Sequence, residues 1–414
     1  MQSSVQADID VRAILDGGRI ETHFQPITSI RRQSLIGVEA LSRGVDAEGR
    51  MIAPIPLFAA AAAQGLTTEL DHLCRARAIE SFLPLHAADP DLILFLNLAV
   101  STVEAGDTEV ESLGQLVRRS GVSPPNVAVE ILESAFGDTD RLHAAVRRYR
   151  DDGFLVVLDD VGAGHANLDR IAFVKPDIIK ADRSLVQNVD ADFHKLEVLK
   201  SLVKLSERIG GWVISEGVET LEEAVTTLQV GGDMLQGFFI SRPHRVGPGE
   251  AIQLDRERIQ SLAYTFKRRT LNHIIAERSR GEQRRQAVVQ YAEHLSGQPA
   301  RSFKAALSAL VHQDPLVVSA CVLDMSGIQV TDTVWNAAGT IPPKRIIFRP
   351  PSSGADHSMK EYYYLLLEAA TETFETQPYV PLPTGDLCIT ASTRFGDVDG
   401  NPFILCLHLA AERS

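Results

Sequence analysis

The sequence predicts an α/β protein: a modified (β/α)8, TIM-like barrel with an antiparallel first strand, then a connector helix and a smaller α+β domain. Three observations predict it. Between about residues 20 and 243, eight short apolar runs alternate with segments whose apolar residues recur every three or four positions. The first two runs are separated only by Arg31, Arg32, Gln33 and Ser34, too few residues for a helical crossover, so they pair as a hairpin. Further on, a long helical pattern gives way to apolar runs punctuated by Asp- and Gly-rich turns.

The expected strands, in order, are His23–Ile30, Leu35–Leu41, Leu92–Ala99, Val127–Leu132, Phe154–Asp159, Ile178–Asp182, Trp212–Glu216 and Met234–Ile240. Helical spacing marks Leu70–His86, Val110–Ser120, Asp140–Asp151, Phe193–Ile209 and Leu221–Leu228. Met51–Thr68 lacks charge, but its prolines and alanines make a poor membrane span. Glu250–Leu295 has the pattern of a long helix, with Gly281 as a potential break. Its basic residues are expected on a solvated face. After it come a helix, a strand Val317–Asp324, a turn at Met325–Gly327, a strand to Val334, and a hairpin of Leu387–Phe395 with Phe403–Ala410. The expected domains are a barrel at 1–250, a helical connector at 251–299 and the smaller domain at 300–414.

The formal charge of −13, from 41 basic and 54 acidic side chains, argues against nucleic acid or an anionic membrane surface as partner. Four cysteines without a CxxC pair are expected as free thiols in a reducing compartment. The N-terminus lacks the apolar core of a signal peptide. A cytoplasmic protein without a membrane span is the expectation.

Polar residues interrupt the apolar runs near the C-terminal ends of the strands, where barrel enzymes build their sites. They are Glu39, Asn97, Glu130, the pair Asp159 and Asp160, Lys180, Glu216 and Gln236. Neighbouring strand residues point to opposite faces, so Asp159 and Asp160 meet in one place only where the strand is ending, with Gly162 and Gly164 turning the chain. Two adjacent carboxylates are costly unless a cation sits between them. Carboxylate-rich, all-oxygen ligation favours Mg²⁺ or Mn²⁺ over zinc.

Residues 20–243 resemble the EAL-type cyclic di-GMP phosphodiesterases. The resemblance rests on Gln25-Pro26-Ile27, Glu39-Ala40-Leu41-Ser42-Arg43, Asn97-Leu98-Ala99, Glu130-Ile131-Leu132-Glu133-Ser134, Asp159-Asp160, Lys180-Ala181-Asp182, Glu216-Gly217-Val218-Glu219 and Gln236-Gly237-Phe238. It implies metal-dependent hydrolysis of cyclic di-GMP to linear pGpG with two Mg²⁺ or Mn²⁺ ions per site. Glu39, Asn97, Glu130 and Asp159 would hold the first ion. The second would share Asp159 and use Asp160, with Glu216 ordering its water. Lys180 would contact the attacking water, making Lys180, Asp160 and Glu216 the catalytic set. Gln25, Leu41, Arg43 and Gln236 would line the substrate, and Glu133 would anchor the loop after Asp160.

That loop departs from the family pattern. Val161 replaces an aromatic, and His165-Ala166-Asn167 replaces Tyr-Ser-Ser. The departure keeps a second reading open, a catalytically weak or inactive cyclic di-GMP receptor that signals through its C-terminal domain. That domain resembles PAS- or Cache-type sensory folds, an antiparallel sheet with helices on one side, with an unidentified small ligand and a homodimer as implied partners. Tyr364, Tyr379 and Arg394 are candidates to face its pocket.

Overall fold

The computed structural model describes residues 9–98, 112–132, 139–163, 168–247, 250–336, 351–368, 371–381 and 386–411. The chain divides into two compact units, Met1–Thr270 and Leu271–Ser414. No helix among the described residues is long and apolar enough to cross a membrane.

The strands of the first unit are β1 (Ile20–Ser29), β2 (Ser34–Val45), β3 (Met51–Ile52), β4 (Ile93–Asn97), β5 (Val127–Leu132), β6 (Leu155–Val161), β7 (Ile178–Ala181), β8 (Trp212–Ser215) and β9 (Met234–Leu235). Among the described residues, eight of them close a barrel in the order β1-β9-β8-β7-β6-β5-β4-β2, with β1 hydrogen-bonded back to β2 and β3 extending the end of β2. The first strand runs antiparallel to both neighbours, as the short 31–34 connection requires, and the other barrel pairs are parallel.

Alternation along each strand sorts the apolar side chains into two layers. Ile27, Phe95, Ala128, Val157, Ile178, Ile214 and Met234 fill the barrel interior as one cluster. Their neighbours, among them Val38, Leu94, Val129, Leu158, Ile179 and Val213, point outward into a larger cluster shared with the helices. The helix Phe193–Ile209 shows how the outer ring is specified. Asp192 accepts from the backbone N–H groups of His194 and Lys195, Gly210 ends the helix at φ +80°, and Leu196, Leu199, Leu202 and Val203 form the buried stripe.

Strand ends near the site differ from expectation in this unit. The last barrel strand stops at Leu235 instead of Ile240, because Gly237 turns the chain hard against Val218, whose carbonyl oxygen would lie 2.2 Å from a Cβ at that position. Strand β6 continues to Val161, past the aspartate pair, with its register shifted between Leu158 and Val161. The charge-poor stretch after Met51 contains the helix Pro54–Gln64, which buries Leu57 and Ala61 beside Leu70 and Cys74.

The helix Arg256–Ser296 is continuous through Gly281, so the potential break is not made. Ile259, Leu262 and Ala263 near its start belong to a core cluster of the first unit. Val288, Tyr291, Ala292 and Leu295 near its end belong to the core of the second. There β10 (Val317–Leu323), β11 (Val334–Trp335), β12 (Thr373–Glu375), β13 (Cys388–Gly396) and β14 (Pro402–Ala410) form an antiparallel sheet in the order β11-β10-β14-β13-β12. The β13–β14 hairpin is the expected one, and Asp397 closes its turn by accepting from the N–H groups of Asp399 and Asn401. The expected strand from Gly327 to Val334 is reduced to isolated bridges before β11. Helices pack on both faces rather than one. Phe303 and Leu307 lie with the helix end on one side, and Tyr362, Tyr363 and Leu366 of Glu361–Glu368 on the other.

Gly37 marks where the barrel tolerates no side chain: a Cβ there would lie 2.6 Å from both the Ile93 carbonyl oxygen and the Phe95 ring. Gly37→Ala is expected to destabilise the barrel by about 1–3 kcal/mol. Chemical denaturation followed by tryptophan fluorescence checks this, an unchanged midpoint being the contrary result.

Candidate active site

Six of the expected site residues on or just beyond the parallel strands stand two positions beyond an interior apolar residue. Asn97 follows Phe95, Glu130 follows Ala128, Asp159 follows Val157, Lys180 follows Ile178, Glu216 follows Ile214 and Gln236 follows Met234. Because side chains alternate, a step of two keeps the same face, so the polar residues form a layer above the apolar one. Gln25 stands two before Ile27 and joins the same layer because β1 runs the other way. The resulting cleft holds about 640 Å³ and is lined by Gln25, Glu39, Leu41, Asn97, Asp159 and Asp160, together with Lys180, Glu216 and Gln236.

Lys180 is its centre. The ammonium, 1% exposed, lies 2.6 Å from Glu216 Oε1, 2.7 Å from Glu130 Oε1, 3.3 Å from Asp159 Oδ1 and 3.4 Å from Glu39 Oε2. Burial opposes the charged amine, but Asp159, Glu130, Glu216 and Glu39 outweigh it and hold Lys180 well above the usual lysine range. One cation cannot compensate four carboxylates. Burial and the charge of Glu39 push Glu130 well above the carboxylate range; Lys180 serves its Oε1, and its buried Oε2 has no donor. Burial raises Asp159, and raises Glu216 to about 8 despite Lys180. Burial acts on Glu39 in the same sense, yet Lys180, Gln236 and Asn97 together bring it below its ordinary value. Asn97 Nδ2 donates to Glu39 Oε1 at 2.8 Å and Gln236 Nε2 to Glu39 Oε2 at 2.5 Å.

Asp160 reaches the cluster through its backbone. Its φ of +57° is the left-handed region, and its N–H donates to Asp159 Oδ1 at 2.9 Å. Carboxylate oxygens of Asp159, Asp160 and Glu216 consequently lie within 4.8 Å of one another. Burial, then the Asp159 charge, raises Asp160 to about 6. A buried carboxylate oxygen without a donor, Glu130 Oε2, beside three converging carboxylate oxygens, with no sulfur or imidazole among them, fits hard divalent cations.

Arg43 is not among the cleft-lining residues; its Nη1 donates to the Ser42 carbonyl at 2.9 Å. Glu133 and loop residues 164–167, His165 among them, lie outside the described residues. Val161 is buried in the shell between strands and helices. Sequence reasoning missed Asp71 and Arg75, a buried ion pair 3.0 Å apart in the cleft wall. Their signal was present: two charges four residues apart on the face of a helix that also buries Leu70, Cys74 and Ala78. Arg183 and Glu219, 3.0 Å apart at the rim, were missed as well.

Asp160 and Glu216 hold protons in the folded chain that the unfolded chain releases near pH 4. Their favourable contribution is full below that pH and falls as pH rises through about 6 and about 8. In a chelator the barrel should therefore melt at a lower temperature at pH 8.5 than at pH 5.5, as far as these groups decide it. Added Mg²⁺, which binds the deprotonated carboxylates, should raise the melting temperature more at the higher pH. Calorimetry at both pH values checks this, and a Mg²⁺ effect larger at pH 5.5 would contradict it.

A model of the EAL domain matches residues 9–243. The cyclic di-GMP phosphodiesterase NbdA of Pseudomonas aeruginosa is 24% identical over 241 residues, 58% of this chain and 31% of that protein. The chain thus spans about a third of that relative's length. Among solved structures, the Bacillus subtilis YkuI protein, which has an EAL domain and was solved with c-di-GMP and calcium, superposes with a TM-score of 0.80 at 22% identity. That likeness of fold covers 99% of this chain and all of that one. Klebsiella pneumoniae BlrP1, solved with manganese and c-di-GMP, is 29% identical, covers 56% of this chain and 57% of its own, and has a TM-score of 0.51. The carboxylate-lined barrel mouth and the match over more than half of the sequence agree: the chain belongs to the EAL domain family.

Proposed function

We propose that the barrel hydrolyses cyclic di-GMP to linear pGpG with two Mg²⁺ or Mn²⁺ ions. The observation that carries this reading is the convergence of four carboxylates, on or just beyond separate strands, within 3.4 Å of one buried ammonium, in a chain similar to NbdA, which is named a cyclic di-GMP phosphodiesterase. Glu39, Asn97, Glu130 and Asp159 would hold one ion, and Asp159 and Asp160 the other, with Glu216 ordering its water shell. Two such ions, when bound, supply charge neutralisation on the phosphate and acidify a water molecule.

The chain's own groups orient the reaction. Lys180 keeps its proton in its carboxylate cage, so its ammonium donates to the oxygen of the attacking water and stabilises charge gathering on the phosphate. Asp160 and Glu216, ionised when cations are present, accept hydrogen bonds from that water and orient it, and the water's proton ends on the leaving 3′ oxygen. Water oxygen adds to phosphorus, the bond from phosphorus to the 3′ oxygen breaks, and that oxygen leaves as a hydroxyl with the phosphate kept on the 5′ side. Gln236 Oε1 is buried without a donor and is available to the ligand, while Gln236 Nε2 and Gln25 Oε1 brace each other at 3.3 Å. Leu41 supplies apolar wall, and the guanidinium fork of Arg43 suits a phosphate oxygen. Glu133 is assigned to anchoring the loop after Asp160.

The same proposal assigns 1–250 to the catalytic barrel, 251–299 to the connector and 300–414 to a PAS/Cache-like sensory or dimerisation domain. The whole acts as a cytoplasmic homodimer. The division into domains is supported by the second unit having its own sheet, core and cavity.

Incubation with cyclic di-GMP and Mg²⁺ or Mn²⁺, followed by chromatography, should yield pGpG. Binding without product would establish a receptor instead. Asp160→Asn and Lys180→Ala are each expected to lower turnover at least about 100-fold while changing nucleotide affinity by less than about tenfold. Equal losses of binding and turnover would remove these residues from the chemistry.

A further inference from the structure

The sheet face that carries the helix Glu361–Glu368 is only partly covered by it. Leu323, Ile404 and Cys406 pack with Tyr362, Tyr363 and Leu366. Beside the helix the structure has a cavity of about 700 Å³ whose lining includes Ser319, Cys321, Cys388 and His408. Of the three residues expected at a pocket here, Tyr379 lines it and Tyr364 and Arg394 do not.

Hydroxyls and sulfur occupy this wall where an ordinary core would place aliphatic side chains. They are organised. Tyr379 Oη lies 2.7 Å from Thr390 Oγ1, which lies 2.8 Å from His408 Nδ1, fixing the imidazole. Cys321 and Cys406 stand directly opposite each other on the antiparallel strands β10 and β14. Directly opposed residues leave the sheet on the same face with Cα atoms about 4.5–5.5 Å apart, inside the range of about 4.4–6.8 Å that a disulfide spans. A hydrogen bond from Cys406 and the neighbouring His408 lower the Cys321 thiol to about 5 against the effect of burial, while burial keeps Cys406 well above its ordinary value. Cys388 also lines the cavity but faces Ala410 across the ladder, and burial pushes its thiol up to about 11.

We propose that Cys321 and Cys406 form a two-electron oxidation site reached through this cavity, with a small hydroperoxide as oxidant. The Cys321 thiolate attacks one oxygen of hydrogen peroxide, the O–O bond breaks, and Cys321 becomes a sulfenic acid as hydroxide leaves. The Cys406 sulfur then attacks that sulfenic sulfur, the S–O bond breaks, and a disulfide and water are formed. Two thiols and one peroxide give one disulfide and two waters. His408, held by Thr390, positions and electrostatically supports the thiolate. This site is independent of the barrel chemistry.

The test exposes the full chain to hydrogen peroxide, alkylates remaining thiols and maps the peptides by mass spectrometry. A dithiothreitol-reversible link between the Cys321 and Cys406 peptides is expected, with Cys74 and Cys388 alkylated. In Cys406→Ser the oxidation should stop at a sulfenic acid on Cys321, captured by dimedone at least about tenfold faster than any label on Cys388. Cys321→Ser should abolish both products. The peptide map of the unsubstituted chain decides the matter even if a variant fails to fold. Four thiols still alkylated after peroxide has fully oxidised free glutathione, or a link made through Cys388, would overturn the proposal.

Discussion

A single buried ammonium surrounded by four carboxylates governs the first unit. Neither partner set is affordable alone in the barrel mouth, since a lone buried ion costs several kcal/mol before any interaction is formed. Lys180 therefore ties β7 electrostatically to β2, β5 and β6 and to the residue that follows β8. The attraction is incomplete by design of the charges. With one positive group among several negative ones, the cluster keeps some of its carboxylates protonated, and a divalent cation is the species that would let them ionise together.

Much of the barrel was legible because its logic is periodic. The strand Val127–Leu132 and the helix Phe193–Ile209 have the expected ends, since apolar periodicity and capping residues agree there. Most of the polar layer was legible for the same reason: Asn97, Glu130, Lys180 and Gln236 each interrupt an apolar strand in phase with the barrel interior. What escaped notice depends on contacts remote in sequence. Gly237 stops β9 because of Val218, nineteen positions earlier, and Asp71 and Arg75 belong to the cleft only once their helix is laid against β2. The helix Pro54–Gln64 was obscured by prolines, which its first turn accepts without loss.

The long helix illustrates tertiary context overriding a local signal. Gly281 weakens a helix by roughly 1 kcal/mol relative to alanine, yet Arg256–Ser296 continues through it. Both ends are held in apolar clusters, and ion pairs such as Arg280 with Glu277 and Arg284 with Glu375 flank the glycine. A single permissive residue between two anchored ends bends the odds too little to part the helix.

Asp160 carries a different kind of tension. A side chain in the left-handed region costs of order 1 kcal/mol or more, and glycine is the residue that would relieve it. The same backbone turn is what swings its carboxylate beside that of Asp159. Selection for stability and selection for chemistry thus act on this position in opposite directions. A lineage that no longer needed the chemistry would be expected to drift here first, with a glycine at 160 as the trace of a barrel that had kept its fold and given up its reaction.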